Sequence, residues 1–485
     1  MKVMLIKAPY TDIYGKVKEM APEMFPIGLG YIAVILRNAG HDVTLIDPDI
    51  GDMTYDSLRD EIIKESPNLV GISAMTSNIH SACKIATIVK KSVNAITVIG
   101  GNHTSSVPEE TMQNFDDFDF LVIGEGEYTI LELCNTLERD KTPDLSKIKG
   151  ICYKRDGKII KTDPRSFIED MDSLPFPARD MVDMDNYRPP NYMEFGKKSA
   201  TMITSRGCPN RCTFCSAHFS TGYRYRPHSP DYVISEIKHL INEYGIEFII
   251  FWDDTFTIDR SRVIKICNLM LEEKLGIEWF CLARVNTVDE ELLRLMKKAG
   301  CRVINFGVES GNQEILNNIK KGTTIPQIRK AIKMARKVGF KILSSFMFGL
   351  PGETHETIEN TIRFAIELDP DMAFFFILTP LPGSEIYNTY KGILFDVSSN
   401  WEDYKYVLTD GTIALDSREF TKEELKNYLV EANRRFYGRP RYILRQILYI
   451  RSKKELISNI SGAFTLLKQS LLIKGLIKAD DIHSN

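Results

Sequence analysis

At 485 residues the chain is too long for one ordinary core, so two or three domains are expected. Hydrophobic residues at 43% and charged residues at 26% describe a globular protein and exclude wholesale disorder. A net charge of -3 gives no ground for a nucleic-acid partner, and nine cysteines over this length do not form a secreted disulfide framework. The opening run Met1–Ile6 stops at Lys7, which suits a strand and not a signal peptide. No apolar run reaches the roughly 18–20 residues needed to span a bilayer. A reducing cytoplasm is the expected location.

Residues 1–137 read as five strand–helix units. Strands are predicted at Val3–Lys7, Val43–Asp47, Leu69–Ser73, Ile96–Gly100 and Phe120–Gly124, with helices near 28–38, 55–65, 77–90, 106–114 and 127–137. Short buried strands alternating with covering helices imply a doubly wound parallel sheet, which binds ligands at the carboxyl ends of its strands. Those ends carry Asp47-Pro48-Asp49, Ser73-Ala74-Met75-Thr76, Gly100-Gly101-Asn102-His103-Thr104 and Gly124-Glu125-Gly126-Glu127. Gly100 and Gly101 leave room for a bulky ligand, although turn chemistry alone would also explain them. Residues 138–198 form a connector, with a hairpin about Arg155-Asp156-Gly157 and extended crossings at Leu174–Pro177 and Pro189-Pro190.

Alternation resumes over 199–399. Six strands are predicted, at Thr201–Thr204, Phe248–Trp252, Trp279–Ala283, Val303–Gly307, Ile342–Phe348 and Ala373–Leu378, separated by six helices. Such a run implies a partial (β/α)6 barrel with its site at the strand carboxyl ends. The region 400–485 is expected to be mainly helical, with Thr421 and Glu424 as a capping box. From Arg434 to Lys478 eleven Lys or Arg stand against one acidic residue, Glu455, interrupted by apolar Tyr442–Ile450 and Ala463–Ile477. This segment could lie on anionic lipid as a peripheral membrane contact, hold an anionic substrate, or pack on the barrel with its basic face in water.

The strongest local signal is Arg206-Gly207-Cys208-Pro209-Asn210-Arg211-Cys212-Thr213-Phe214-Cys215. Three thiolates on one loop after a strand suit an iron–sulfur cluster with one iron left open. The competing reading is a structural zinc site with His218 as fourth ligand. The remaining cysteines, at 83, 134, 152, 267, 281 and 301, are isolated and read as small core residues.

This motif resembles that of the radical S-adenosylmethionine (SAM) superfamily. The resemblance implies a 4Fe–4S cluster on Cys208, Cys212 and Cys215, with Phe214 near the adenine of SAM. It implies that Asp253 and Asp254 touch the methionine amino group, and that Arg284, Glu309 and Ser310 lie near the carboxylate and ribose. Phe348-Gly349-Leu350-Pro351-Gly352-Glu353 resembles the family's loop after the fifth strand. Residues 1–137 resemble the cobalamin-binding domain found ahead of such barrels. That implies a nucleotide tail near Ser73, Thr76, Gly100, Gly101, Gly124 and Glu125, with His103 bonding the corrin or phosphate. Residues 8–40 contain no histidine, so no lower cobalt ligand comes from the loop after the first strand.

The resemblance implies a methyltransferase acting on an unactivated carbon through methylcobalamin and a 5′-deoxyadenosyl radical. Related architectures catalyse anaerobic tetrapyrrole cyclisation or sugar rearrangement, and a non-catalytic regulatory module is a third reading. Expected partners are a small-molecule substrate, hydrophobic or anionic, and an electron donor such as flavodoxin or ferredoxin. Tyr223, Tyr225, His228 and Tyr387 are candidate pocket residues.

Overall fold

The computed structural model describes residues 1–14, 23–51, 53–190, 196–398, 400–404 and 413–449, with side chains to residue 446. The first strand, β1 (Lys2–Lys7), buries Val3 through Ile6 on both faces, as a central parallel strand does. It is joined by β2 (Asp42–Ile46), β3 (Leu69–Ser73), β4 (Ile96–Gly100), β5 (Phe120–Val122), β6 (Ile151–Arg155) and β7 (Lys158–Lys161). Their order is β2-β1-β3-β4-β5-β6-β7. The first five are parallel, while β6 and β7 run antiparallel. The hairpin anticipated in the connector therefore docks on β5 and extends the first sheet. Strand order reverses between β1 and β3, which opens a crevice at their carboxyl ends.

The second sheet contains β8 (Ser199–Met202), and a two-residue ladder follows it, β9 (Ser205–Arg206) against β10 (Arg226–Pro227). The sheet continues with β11 (Phe248–Phe251), β12 (Glu278–Ala283), β13 (Cys301–Glu309), β14 (Lys341–Phe348) and β15 (Met372–Ile377). The order is β8-β11-β12-β13-β14-β15, every pair is parallel, and β8 and β15 are the edges. Each strand overlaps its predicted apolar run, although the first lies two residues earlier, at Ser199–Met202 and not Thr201–Thr204. Phe248, Ile250, Phe280, Val303 and Leu343 alternate with main-core residues and form a separate cluster.

The C-terminal region holds a hairpin, Phe395–Val397 with Leu415–Ser417, and the helix Lys422–Tyr437. Thr421 and Glu424 cap that helix reciprocally, as expected. Arg439, just ahead of the following helix (Pro440–Tyr449), and Arg445 within it reach Asp369, at 2.7 Å and 2.6 Å, and bring the start of the basic segment onto the second domain. The rest of that segment, including Ala463–Ile477, lies outside the described residues. No helix among the described residues is long and apolar enough to cross a membrane.

Candidate functional site

The cysteine loop is shaped by the backbone before it contributes chemistry. Gly207 has φ +84°, and a Cβ there would stand 2.1 Å from the Arg224 carbonyl oxygen, so only glycine serves. Cys208 N–H donates to Gly222 O at 3.3 Å, and Cys215 N–H to Cys212 O at 3.1 Å. Thr213 N–H reaches Ile319 O at 3.0 Å, tying the loop's middle to a later turn. All three cysteines are half-buried and unpaired with one another. Asn210 donates to Cys208 Sγ at 3.2 Å, and Arg284 to Cys212 Sγ at 3.7 Å.

Burial, reinforced by the nearby charges of Asp254, Cys212 and Cys208, pushes the Cys215 thiol up to about 11. A metal offsets this cost by binding the thiolate. Among the described residues no three His, Cys, Asp or Glu groups converge as ligands of one ion. His218, the fourth ligand of the zinc reading, stacks on Tyr223 at 4.6 Å. A cubane takes one thiolate per iron, so three thiols spread along a loop fit it.

The strand ends around the loop divide into facing and anchoring groups. Asp253 is fully buried and accepts from Thr204 N, Thr204 Oγ1 and Ser205 Oγ, the last two at 2.9 Å and 2.5 Å. Its carboxylate is spent on fastening the segment ahead of the cysteines. Asp254, one residue on, is open to solvent, though protein around it and then Asp253's charge raise its carboxyl. Glu309 ends β13 at φ +68°, a strained setting for a residue with a side chain, and pairs with Lys321 Nζ at 2.6 Å. Lys321 also lies over the Phe214 ring at 5.8 Å, and its carbonyl accepts from Arg284. Ser310 is buried behind this layer against Thr361, at 3.2 Å, where it fixes the turn. Lys321 was not singled out from sequence; the Lys-Lys-Gly turn at 320–322 was its only signal.

At the first sheet, Ser73 sits in register with Lys7 and Gly100. Thr76 Oγ1 pairs with His103 Nδ1 at 3.2 Å. His103 is wholly buried against the Trp401 ring, at 5.1 Å, and burial brings its pKa down to about 3, so it is neutral. Trp401 comes from the C-terminal region, a contact that sequence reasoning missed. Gly124, at φ +77°, donates to Ser105 Oγ at 3.0 Å.

Glu125 is held by two arginines: Arg226 grips it in a fork at 2.8 Å and 3.1 Å, and Arg206 meets it at 3.0 Å. A hollow of ≈ 590 Å³ opens at the ends of β1, β2 and β3, lined by Thr11, Asp49, Thr54, Ser77, His80 and Lys84 among others. Ser77 Oγ, His80 Nε2 and His103 Nε2 are buried without partners. Each such atom costs about 1–3 kcal/mol unless a ligand satisfies it, and an amide-rich cofactor fits that need.

Comparison with known proteins agrees with this geometry. The B12 binding domain model matches residues 16–134, and the radical SAM superfamily model matches residues 202–365. An uncharacterized methyltransferase of Pyrococcus horikoshii is 38% identical over 448 residues, 92% of this chain and 95% of that protein. The anaerobic magnesium-protoporphyrin IX monomethyl ester cyclase of Rubrivivax gelatinosus is 31% identical, covering 90% of this chain and 77% of that one. Among solved structures, the radical SAM methyltransferase TsrM of Kitasatospora setae, with cobalamin and a [4Fe-4S] cluster bound, aligns at TM-score 0.70. It covers 89% of this chain and 88% of that one at 18% identity, a likeness of fold.

Proposed function

The chain belongs to the family in which a cobalamin-binding domain is fused to a radical SAM domain, and from that membership we propose that it methylates an unactivated carbon of a small molecule. The observation that carries this reading is the loop of three half-buried cysteines, with Arg284 and Asp254 beside it. When bound, the cluster supplies the electron that cleaves SAM, and cobalamin supplies the methyl carrier. Cys208, Cys212 and Cys215 hold the cluster, and Phe214 flanks the adenine. Asp254 accepts the methionine ammonium and Arg284 pairs with its carboxylate, the charge types each requires. Asp253, Ser310 and Glu125 act on loop and domain geometry and stay out of contact with the cofactors. The second sheet serves as the partial (β/α)6 barrel, and a cluster held there would draw its electron from a one-electron donor such as flavodoxin or ferredoxin in the cytoplasm.

Methyl transfer is preferred because the relative at 38% identity bears a methyltransferase name. Cyclisation is the second reading, favoured by the cyclase relative at 31%. The test is anaerobic reconstitution with iron, sulfide and hydroxocobalamin, followed by incubation with methyl-labelled SAM and candidate substrates. Cobalt and iron bound, 5′-deoxyadenosine and S-adenosylhomocysteine formed, and label in the substrate support methylation. An altered, unlabelled substrate moves the assignment to cyclisation. Replacing any of Cys208, Cys212 or Cys215 by Ala should abolish 5′-deoxyadenosine formation; retained formation would overturn the cluster assignment.

A further inference from the structure

The loop after β5 and the residue just ahead of the cysteine loop are joined by buried charge. Side-chain exposures are 9% for Arg206, 2% for Arg226, 6% for Glu125 and 4% for Glu127. Arg206 donates to Glu125 Oε1 at 3.0 Å and to Glu127 Oε1 at 2.5 Å. Arg226, opposite Arg206 in the β9–β10 ladder, holds both oxygens of Glu125. Ile168 N–H completes Glu125's shell at 2.7 Å, and Arg226 also donates to the Ile168 and Thr221 carbonyls at 2.5 Å and 2.8 Å. The guanidinium groups lie over aromatic rings, Arg206 over Tyr31 at 5.3 Å and Arg226 over Phe167 at 4.8 Å.

Two carboxylates and two guanidiniums leave no net charge, and their hydrogen bonds run in defined directions. Buried ion pairs contribute little net stability compared with apolar packing, so stability alone gives a poor account of three of them at one joint. Their position supplies a better one. Arg206 is two residues from Cys208. Glu125 adjoins Gly124, whose N–H is held by Ser105, two residues from His103. A continuous path of hydrogen bonds and backbone thus runs from the edge of the first sheet to the first cysteine.

We propose that Glu125, Glu127, Arg206 and Arg226 are positioning residues that couple the two cofactor sites, so that occupancy of the cobalamin site sets the conformation of the cysteine loop and the reverse. The inference rests on the functional reading above, because it needs both sites. Linkage requires the effect to be reciprocal: the factor by which SAM changes cobalamin affinity equals the factor by which cobalamin changes SAM affinity.

The experiment measures hydroxocobalamin Kd by fluorescence quenching in the cluster-reconstituted full chain, with and without saturating SAM, and SAM Kd with and without hydroxocobalamin. In the unaltered protein both ratios should agree and amount to about 5-fold or more. In Glu125→Gln both should fall to about one, with iron content and the cluster's EPR signal retained. Arg226→Lys keeps the charge but loses the fork, and should lie between them; it serves if Glu125→Gln does not fold. Coupling that survives in the variants, or ratios of one in the unaltered protein, overturns the inference. Failure of the unaltered protein to bind hydroxocobalamin at all would instead overturn the functional reading.

Discussion

Gly101 and Gly100 look interchangeable in sequence, and the structure makes their substitutions unequal in effect. Gly101 stands at φ +119° and ψ -170°, a region open essentially to glycine alone. A Cβ added there would lie 2.2 Å from the Ala74 carbonyl oxygen, a backbone atom that cannot swing aside. The conformation costs about 1–3 kcal/mol for a residue with a side chain. Separating the two loops adds roughly 1–3 kcal/mol more, so Gly101→Ala should destabilise the first domain by about 2–6 kcal/mol. At Gly100 the nearest atom to a new Cβ is Val122 Cβ at 3.7 Å, an ordinary contact. Gly100→Ala should therefore change stability by less than about 1 kcal/mol. Urea unfolding followed by tryptophan fluorescence reads both, with Trp401 reporting on this edge through His103. Hydroxocobalamin titration reads the second effect: Gly100→Ala should weaken binding if the cofactor crosses the end of β4. A Gly101→Ala protein with an unchanged urea midpoint would refute the steric argument.

The neighbouring carboxylates Asp253 and Asp254 should separate just as cleanly. Asp253→Ala strands Thr204 and Ser205 donors and should cost about 3 kcal/mol, with loss of iron on reconstitution. Asp254→Ala should stay within about 0.5 kcal/mol in unfolding while SAM affinity falls; equal stability losses would undo the distinction. Lys321→Met leaves the Glu309 carboxylate buried and alone, and should cost about 3–5 kcal/mol. Glu309→Gln in the same protein should recover part of that, and a thermal-melt double-mutant cycle measures the recovery.

Burial pushes Glu353 up to about 8 in the folded chain, from an ordinary value near 4.5. Between these values the native state holds the proton that the unfolded state has released, so stability falls as pH rises, by about 1.4 kcal/mol per unit of pKa shift. Glu353→Gln should flatten the fall in melting temperature between pH 5 and pH 8, and an unchanged slope would assign that fall to other groups.

The parallel strands were legible because buried strands appear as short apolar runs, and their periodicity differs from that of the covering helices. Val3–Ile6 and Phe248–Phe251 needed nothing beyond that rule. The cysteine loop was equally legible, since all three cysteines stand in one short segment. Contacts between residues far apart in sequence were not. Trp401 meets His103 across about three hundred positions, and Arg226 meets Glu125 across 101. No local pattern encodes such pairings. The β9–β10 ladder was too short to show a period of two.

Acidic residues at strand ends illustrate the limit best, because residue type says that a carboxylate will find a donor without saying which one. Asp47 and Asp49 are paired with Lys7, Glu125 and Glu127 with the two arginines, and Glu309 with Lys321. Asp253 is filled by hydroxyls and an amide of the segment before the cysteines. A carboxylate has about four acceptor sites, and once these are taken inside the protein it has little left for a ligand. Of the acidic residues grouped here, Asp254 is the one whose carboxylate has no hydrogen-bond partner among the described residues, and it lies close enough to Cys215 to raise its thiol. Free acceptor capacity beside the cysteines makes Asp254 the carboxylate best placed to receive an ammonium. A buried neighbour already holding three donors would have to break the loop's own anchor to do the same.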